Sequence, residues 1–155
     1  MTSSPVALRP VTVHNWQACV ALQLYPDQFG LLPDNLYSLA EAQFYPDGES
    51  LAVYTLSGEI VGFARYGRDA TPGDLKIYRL MIDRAHQGKG YGRAAMRRLI
   101  ERLEQLEGSE RIRISYQDHN SVARNLYRSL GFVELYTDTT GKVTAGLELA
   151  KQGVG

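Results

Sequence analysis

An α/β (α+β) fold, with a mixed central sheet of about seven strands flanked by four helices, is what the order of hydrophobic patterns predicts. Three observations carry this. Three strand-like runs follow one another between residues 51 and 82, separated by turn dipeptides. A run of helical period then takes over. After it, strand and helix alternate before a closing hairpin, so helices must cover both faces of the sheet.

In chain order, Val6 to Val11 reads as the first strand, and Trp16, Cys19 and Val20 mark a short amphipathic helix. Pro33 and Asp34 open a second helix, with Asp34 as N-cap and Leu36, Leu39, Ala40 and Phe44 on one face, until Pro46-Asp47-Gly48 stops it. The strands Leu51 to Leu56, Ile60 to Tyr66 and Leu75 to Ile82 form an antiparallel meander, turned at Ser57-Gly58 and Pro72-Gly73. Met96, Leu99, Ile100 and Leu103 share a face of the third helix, opposite Arg97, Arg98, Glu101 and Glu104, and Gly108 ends the run. Arg111 to Tyr116 is a strand. Asn120 caps a fourth helix that buries Ala123, Leu126, Tyr127 and Leu130 and stops at Gly131. Phe132 to Tyr136 and Val143 to Leu149 close the fold as a hairpin around Thr140-Gly141. The first few residues and Lys151 to Gly155 are expected to be loose.

A chain of 155 residues with 44% apolar content can build a core as one domain, residues 1–155, without disulfide staples. Cys19 is the only cysteine, which excludes an intramolecular disulfide and a cysteine-based metal cluster, and fits a reducing cytoplasm. No basic segment followed by an apolar one opens the chain, and no run approaches the roughly 18 apolar residues that span a bilayer, so a soluble protein is expected. The formal net charge of zero gives no steering toward nucleic acid or an anionic membrane. The balance hides an asymmetry: 4 bases against 8 acids up to Tyr78 gives −4, and 13 bases against 9 acids from Arg79 onward gives +4. One reading is scatter on a solvated surface; the other is that one half handles a cation and the other an anion.

The chemistry concentrates in Gln87-Gly88-Lys89-Gly90-Tyr91-Gly92-Arg93, between the end of a strand and the start of the third helix. Closely spaced glycines let a backbone approach a ligand, and free amides at a helix N-terminus attract an anion. A phosphate or pyrophosphate is the expected guest. A dinucleotide fingerprint would need glycine at Arg93, and a P-loop would need an absent Gly-Lys-Ser/Thr, so NAD and ATP fit poorly. The three histidines, His14, His86 and His119, show no metal-ligand spacing, and no metal is expected.

Gln87-x-x-Gly90-x-Gly92 resembles the acetyl-CoA pyrophosphate signature of the GNAT family of N-acetyltransferases, and Asn120 through Phe132, NSVARNLYRSLGF, resembles that family's second motif. The order of elements matches as well, so the resemblance covers nearly the whole chain. It implies a GNAT fold whose fourth and fifth strands, Leu75 to Ile82 and Arg111 to Tyr116, splay apart to admit acetyl-CoA as cosubstrate. It also implies that amides from Gln87 to Arg93, through Gly88, Lys89, Gly90, Tyr91 and Gly92, cradle the pyrophosphate, with charge from Lys89 and Arg93. The backbone of Leu80, Met81 and Ile82 would pair with the pantetheine arm, which Asn120 would also contact.

Acyl transfer to an amine needs a neutral nucleophile, a polarised carbonyl and a proton for the departing thiolate. Tyr127 matches the family's general acid. A phenol near pKa ~10 is a weaker acid than a thiol near ~8.5, so the proton moves as charge develops on sulfur. The alternative for Tyr127 is a core tyrosine beside Leu126 and Leu130. Some polyamine-acetylating relatives carry a carboxylate before the glycine loop, where this chain has Tyr78. No base is therefore assigned, and a water relay to Glu41 or Tyr78 and loss of the proton to solvent both stay open.

Asn35 to Ala42, NLYSLAEA, and Tyr78 to Asp83, YRLMID, resemble stretches of the bacterial diamine and spermine/spermidine N-acetyltransferases. That resemblance implies a small-molecule amine, a polyamine or diamine, held by Asp34 and Glu41 through charge and by Tyr37 and Tyr78 through cation–π contact; helix capping and solvated side chains are the alternative. The implied mechanism is direct attack in a ternary complex, since Cys19 lies away from every motif. A protein or peptide N-acetyltransferase and a non-catalytic CoA-binding regulatory module are the rival functions. Nucleic-acid binding is not expected, because Arg97, Arg98 and Arg102 alternate with glutamates instead of with aromatics. Family habit implies a homodimer.

Overall fold

The computed structural model describes residues 4–26 and 34–150. In chain order these form β1 (Val6–Pro10), α1 (Trp16–Ala21), α2 (Asn35–Ala42), β2 (Glu49–Thr55), β3 (Ile60–Arg68), β4 (Asp74–Ile82), a single 3-10 turn (Arg84–His86), α3 (Tyr91–Glu104), β5 (Arg111–Gln117), α4 (Ser121–Ser129), β6 (Val133–Thr137) and β7 (Lys142–Glu148). Pro33, expected at the head of the second helix, and both tails expected to be loose lie outside the described residues.

The strands make one mixed sheet in the order β1-β2-β3-β4-β5-β7-β6. Every pairing is antiparallel except β4 with β5. Parallel neighbours need a crossover, and α3 supplies it. Met96, Leu99 and Leu103 of α3 are fully buried against Leu51, Ala64, Leu75 and Ile112, in the core that also receives Tyr127 of α4. Each such side chain stabilises by roughly 1.5–3 kcal/mol. On the opposite face Cys19 of α1 joins Ala52, Phe63 and Met81. Burial there pushes the Cys19 thiol up to about 11, so it stays protonated and inert. Among the described residues no helix is long and apolar enough to cross a membrane.

α2 is turned differently from what its apolar residues suggest. Leu36 and Phe44, expected on one face with Leu39, are 54% and 79% exposed, while Asn35 and Ser38 are buried at 3% and 4%. The reason lies in the sheet beneath. Arg65 of β3 and Arg79 of β4 are register partners, both buried, and each needs a polar group above it. Arg65 Nη1 donates to Glu41 Oε1 at 2.5 Å, and Arg79 Nε donates to Asn35 Oδ1 at 2.7 Å. A polar stripe at positions 35, 38 and 41 therefore faces inward.

Two irregularities in β4 shape the functional region. Arg65 pairs with Arg79 but Tyr66 pairs with Ile77, so Tyr78 is the extra residue of a β-bulge. β4 and β5 pair only from Asp74–Arg111 to Ile77–Ile114. Beyond that point β4 continues to Ile82 and β5 to Gln117 without pairing, and the two strands expected to splay do so.

Candidate active site

The gap between β4 and β5 holds a cleft of about 560 Å³. Leu80, Met81 and Ile82 form one wall, Gln87, Gly88, Gly90, Tyr91 and Gly92 its mouth, and Asn120, Ala123, Leu126 and Tyr127 of α4 the other wall. Because β4 has lost its neighbour there, alternate backbone groups along residues 78–82 face the gap and, apart from the Ile82 carbonyl, are open to pairing with an extended amide-bearing chain.

At the mouth, Gly88 and Gly90 adopt φ of +79° and +83°, a region that disfavours any side chain. A Cβ at either would meet nothing within 4 Å among the described residues. Gly90 is also the N-cap of α3 and brings no side chain to its first turn. The amides that begin α3 thus keep their donors, at the positive end of a helix of 14 residues. This set fits a diphosphate. Gln87 turns inward, its Nε2 donating to the Ile82 carbonyl at 3.0 Å, which fixes the loop to the end of β4. Lys89 Nζ lies 3.4 Å from His86 Nδ1, and Arg93 Nη1 donates to Ser129 Oγ at 2.6 Å; neither side chain, both expected at the phosphates, lines the cleft.

Asn120 is the N-cap of α4: its Oδ1 accepts from the Ala123 amide at 3.2 Å. About two turns on, Tyr127 lies between Tyr116 and Phe132, with ring centroids 5.6 and 5.7 Å away. Burial, with a smaller push from Tyr116, raises its phenol to about 12. Among the described residues its hydroxyl has no hydrogen-bond partner.

A second cavity of about 300 Å³ opens on the other side of Tyr127. Tyr37, Ser38 and Glu41 of α2, Arg65, Lys76, Ile77 and Tyr78, Ser115 to Gln117, and Lys142 line it. It shares Asn120, Ala123 and Tyr127 with the cleft, so the two spaces meet at a waist on α4. The Arg65 guanidinium lies 4.8 Å from the Tyr78 ring centre and Lys76 Nζ lies 5.4 Å from it. Desolvation, then Asp69, raises the Tyr78 phenol above its ordinary value.

Of the residues expected to hold the acceptor, Tyr37, Glu41 and Tyr78 come together in this cavity. Asp34 does not line it; its carboxylate caps α2, accepting from the Tyr37 amide at 2.7 Å. Glu41 is already engaged by Arg65. Arg65, Lys76, Ser115 and Lys142 were not anticipated. Arg65 could have been noticed as a charge inside the apolar run VGFARYG, whereas Lys142 reaches the site only through the β5–β7 pairing. A further hollow of about 560 Å³, between Pro10–Val13, Trp16 and Leu39, shares no residue with the waist.

The sequence model of the acetyltransferase (GNAT) family matches residues 13–132, from before α1 to the end of α4. The chain belongs to this family. The GNAT fold, with its parted β4 and β5, and the class activity of N-acetyl transfer follow from that membership. Among curated relatives, the spermine/spermidine N(1)-acetyltransferase of Bacillus subtilis (strain 168) is 29% identical over 133 residues, covering 82% of this chain and 87% of the relative. Among solved structures, an acetyltransferase from Thermus thermophilus superposes with a TM-score of 0.76 at 24% identity, over 93% of this chain and 97% of that one. The spermidine N-acetyltransferase of Vibrio cholerae, in complex with CoA and spermine, gives 0.77 at 16% identity, over 96% and 98%. At those identities the structures speak for the fold.

Proposed function

We propose that this GNAT chain moves the acetyl group of acetyl-CoA to a primary amine of a small molecule, by direct attack in a ternary complex. The observation that carries the reading is the waist: a cleft suited to a diphosphate-bearing, amide-linked arm and a separate polar cavity meet at Asn120, Ala123 and Tyr127. Two substrates entering from opposite sides would touch only there.

Acetyl-CoA supplies an activated thioester. The chain supplies the rest. The α3 amides and the open glycines hold the diphosphate, the free edge of β4 at Leu80, Met81 and Ile82 pairs with the arm, and Asn120 orients it. Tyr127 acts as general acid. As the amine nitrogen forms its bond to the carbonyl carbon, the carbon–sulfur pair leaves with sulfur and the Tyr127 hydroxyl gives it a proton, while the proton that the nitrogen sheds as the amide forms passes through solvent to restore the phenol. Burial holds that proton on the phenol until negative charge develops beside it. Because Glu41 is tied to Arg65, the ammonium loses its proton to solvent instead of to a carboxylate.

A polyamine or diamine acceptor is the finer reading, supported by the Bacillus subtilis relative and by the Tyr37 and Tyr78 rings on the cavity wall. The lone buried Cys19 suits a cytoplasmic setting. The test is CoA release from acetyl-CoA with spermine, spermidine, putrescine and lysine peptides, comparing wild type with Tyr127→Phe. Transfer to an amine that falls in the variant, with acetyl-CoA binding intact, supports the reading. Acetyl-CoA binding with no transfer to any amine would sink it.

A further inference from the structure

Since the Tyr127 hydroxyl has no hydrogen-bond partner among the described residues, its aim at the waist depends on how its ring is packed. Of the two rings that flank it, Phe132 has no polar handle. Tyr116 has one. From β5 it reaches across β7 to the edge strand β6, where its hydroxyl donates to Glu134 Oε1 at 3.0 Å.

The same carboxylate oxygen accepts from Arg124 Nε at 2.7 Å and lies 3.6 Å from Arg128 Nη2. Arg124 and Arg128 stand on α4, to either side of Tyr127 in the chain. One carboxylate thus ties the helix that carries Tyr127 to the strand that carries its neighbouring ring. Hydrogen bonds from Tyr116 and then Arg124 hold the Glu134 carboxyl below its ordinary value, so it is ionised at neutral pH. Desolvation, then Glu134, raises the Tyr116 phenol, which keeps the proton that it donates.

We propose that Glu134 is a positioning residue for acetyl transfer: it fixes the Tyr116 ring against Tyr127 and so keeps the Tyr127 hydroxyl turned to the departing sulfur. This rests on the reading of Tyr127 as general acid. Tyr116 lines the acceptor cavity, whereas Glu134 lines neither that cavity nor the cleft and acts only through its partners. Without the carboxylate, the Tyr116 hydroxyl loses its acceptor and α4 its tie to β6. A proton donor that must meet sulfur at hydrogen-bond distance tolerates little of the rocking that follows.

The experiment uses whichever of spermine, spermidine, putrescine and lysine peptides turns over fastest. It measures kcat, the amine KM and the acetyl-CoA Kd for Glu134→Ala, Glu134→Gln and Tyr116→Phe, each also in a Tyr127→Phe background, with thermal melts to show that every variant is folded. Glu134→Ala should lower kcat by about tenfold with acetyl-CoA Kd unchanged. Glu134→Gln keeps an oxygen for the Tyr116 hydroxyl and should recover most of the loss. Tyr116→Phe keeps the ring without its handle; it should share most of the effect, and adding it to Glu134→Ala should cost nothing further. In the Tyr127→Phe background, where no hydroxyl remains to aim, Glu134→Ala should leave kcat unchanged, an outcome that a merely structural role would not give. Full kcat in Glu134→Ala, or the same fall with and without the Tyr127 hydroxyl, overturns the positioning role and leaves the acid standing. Where Glu134→Ala does not fold, Tyr116→Phe decides by the same two comparisons. Full kcat in Tyr127→Phe, or no transfer to any amine, removes the acid and this role together.

Discussion

At Tyr127 a single phenol answers to two demands, packing and proton donation. Its ring is fixed between Tyr116 and Phe132, and the same burial that fixes it raises its pKa to about 12. The sign is unambiguous: desolvation penalises phenolate, so the proton-bearing form persists further into alkali than for an exposed tyrosine. We expect kcat to rise with pH as the amine deprotonates and to show no falling limb below about pH 10, the ordinary tyrosine value. A pH–rate profile at saturating acetyl-CoA checks this. Tyr127→Phe should lower kcat by about a hundredfold, within the range for loss of a positioned acid. Equilibrium binding should show acetyl-CoA affinity unchanged.

Among the elements, α2 inverts the usual rule that a helix packs by its apolar face. Asn35 sits at its hub: Nδ2 donates to the Cys19 carbonyl at 2.8 Å while Oδ1 receives Arg79 Nε. Arg79 is buried, its pKa drawn down to about 10 by desolvation, and among the described residues its Nη1 has no hydrogen-bond partner. Asn35→Leu, a more hydrophobic residue of similar size, should therefore destabilise, by about 2–3 kcal/mol in urea unfolding, because it strips the remaining partner from a buried charge. The N-terminus of α3 gives a second comparison. Gly90 and Gly58 both have positive φ and open space at Cβ, but only Gly90 borders the cleft. Alanine at either should cost about 1 kcal/mol. Only Gly90→Ala should also weaken acetyl-CoA binding, which calorimetry on the two variants separates.

For the molecule as a whole, the sheet must stay intact although β4 and β5 part in its middle. The paired half of β4–β5 and the α3 crossover hold its two sides together, and charges fasten α3 to the strands. Glu49 of β2 accepts from Arg102 Nε and Nη2 at 3.0 and 2.9 Å and from the Tyr66 hydroxyl at 2.5 Å. The hydrogen bond from Arg102 is the main reason that its carboxyl lies below the ordinary value of 4.5. A depressed carboxylate contributes stability above its unfolded pKa and loses it as pH falls through the folded one. Glu49→Gln should thus cost about 1 kcal/mol at neutral pH, a modest figure because the pair is partly solvated. The difference from wild type should vanish in acid. Thermal melts from neutral pH to below 4.5 test this.

The sequence by itself determined the element order, the turns and the glycine loop before the third helix, because these depend on local rules: hydrophobic period, glycine conformations and helix caps written within a few residues. The strands, the α3 face and the Asn120 cap are legible for that reason. Gly88 and Gly90 were legible as glycines of a turn before a helix, and their positive φ angles agree with that. The face of α2 was not legible, because it depends on Arg65 and Arg79 beneath it, more than twenty residues away in sequence. The bulge at Tyr78 depends on register between two strands, which composition does not encode. The charge of the acceptor cavity was decided last of all. Glu41 reads as a cation-binding carboxylate in isolation, and only the fold ties it to Arg65 and brings Lys76 and Lys142 from separate strands into the same cavity.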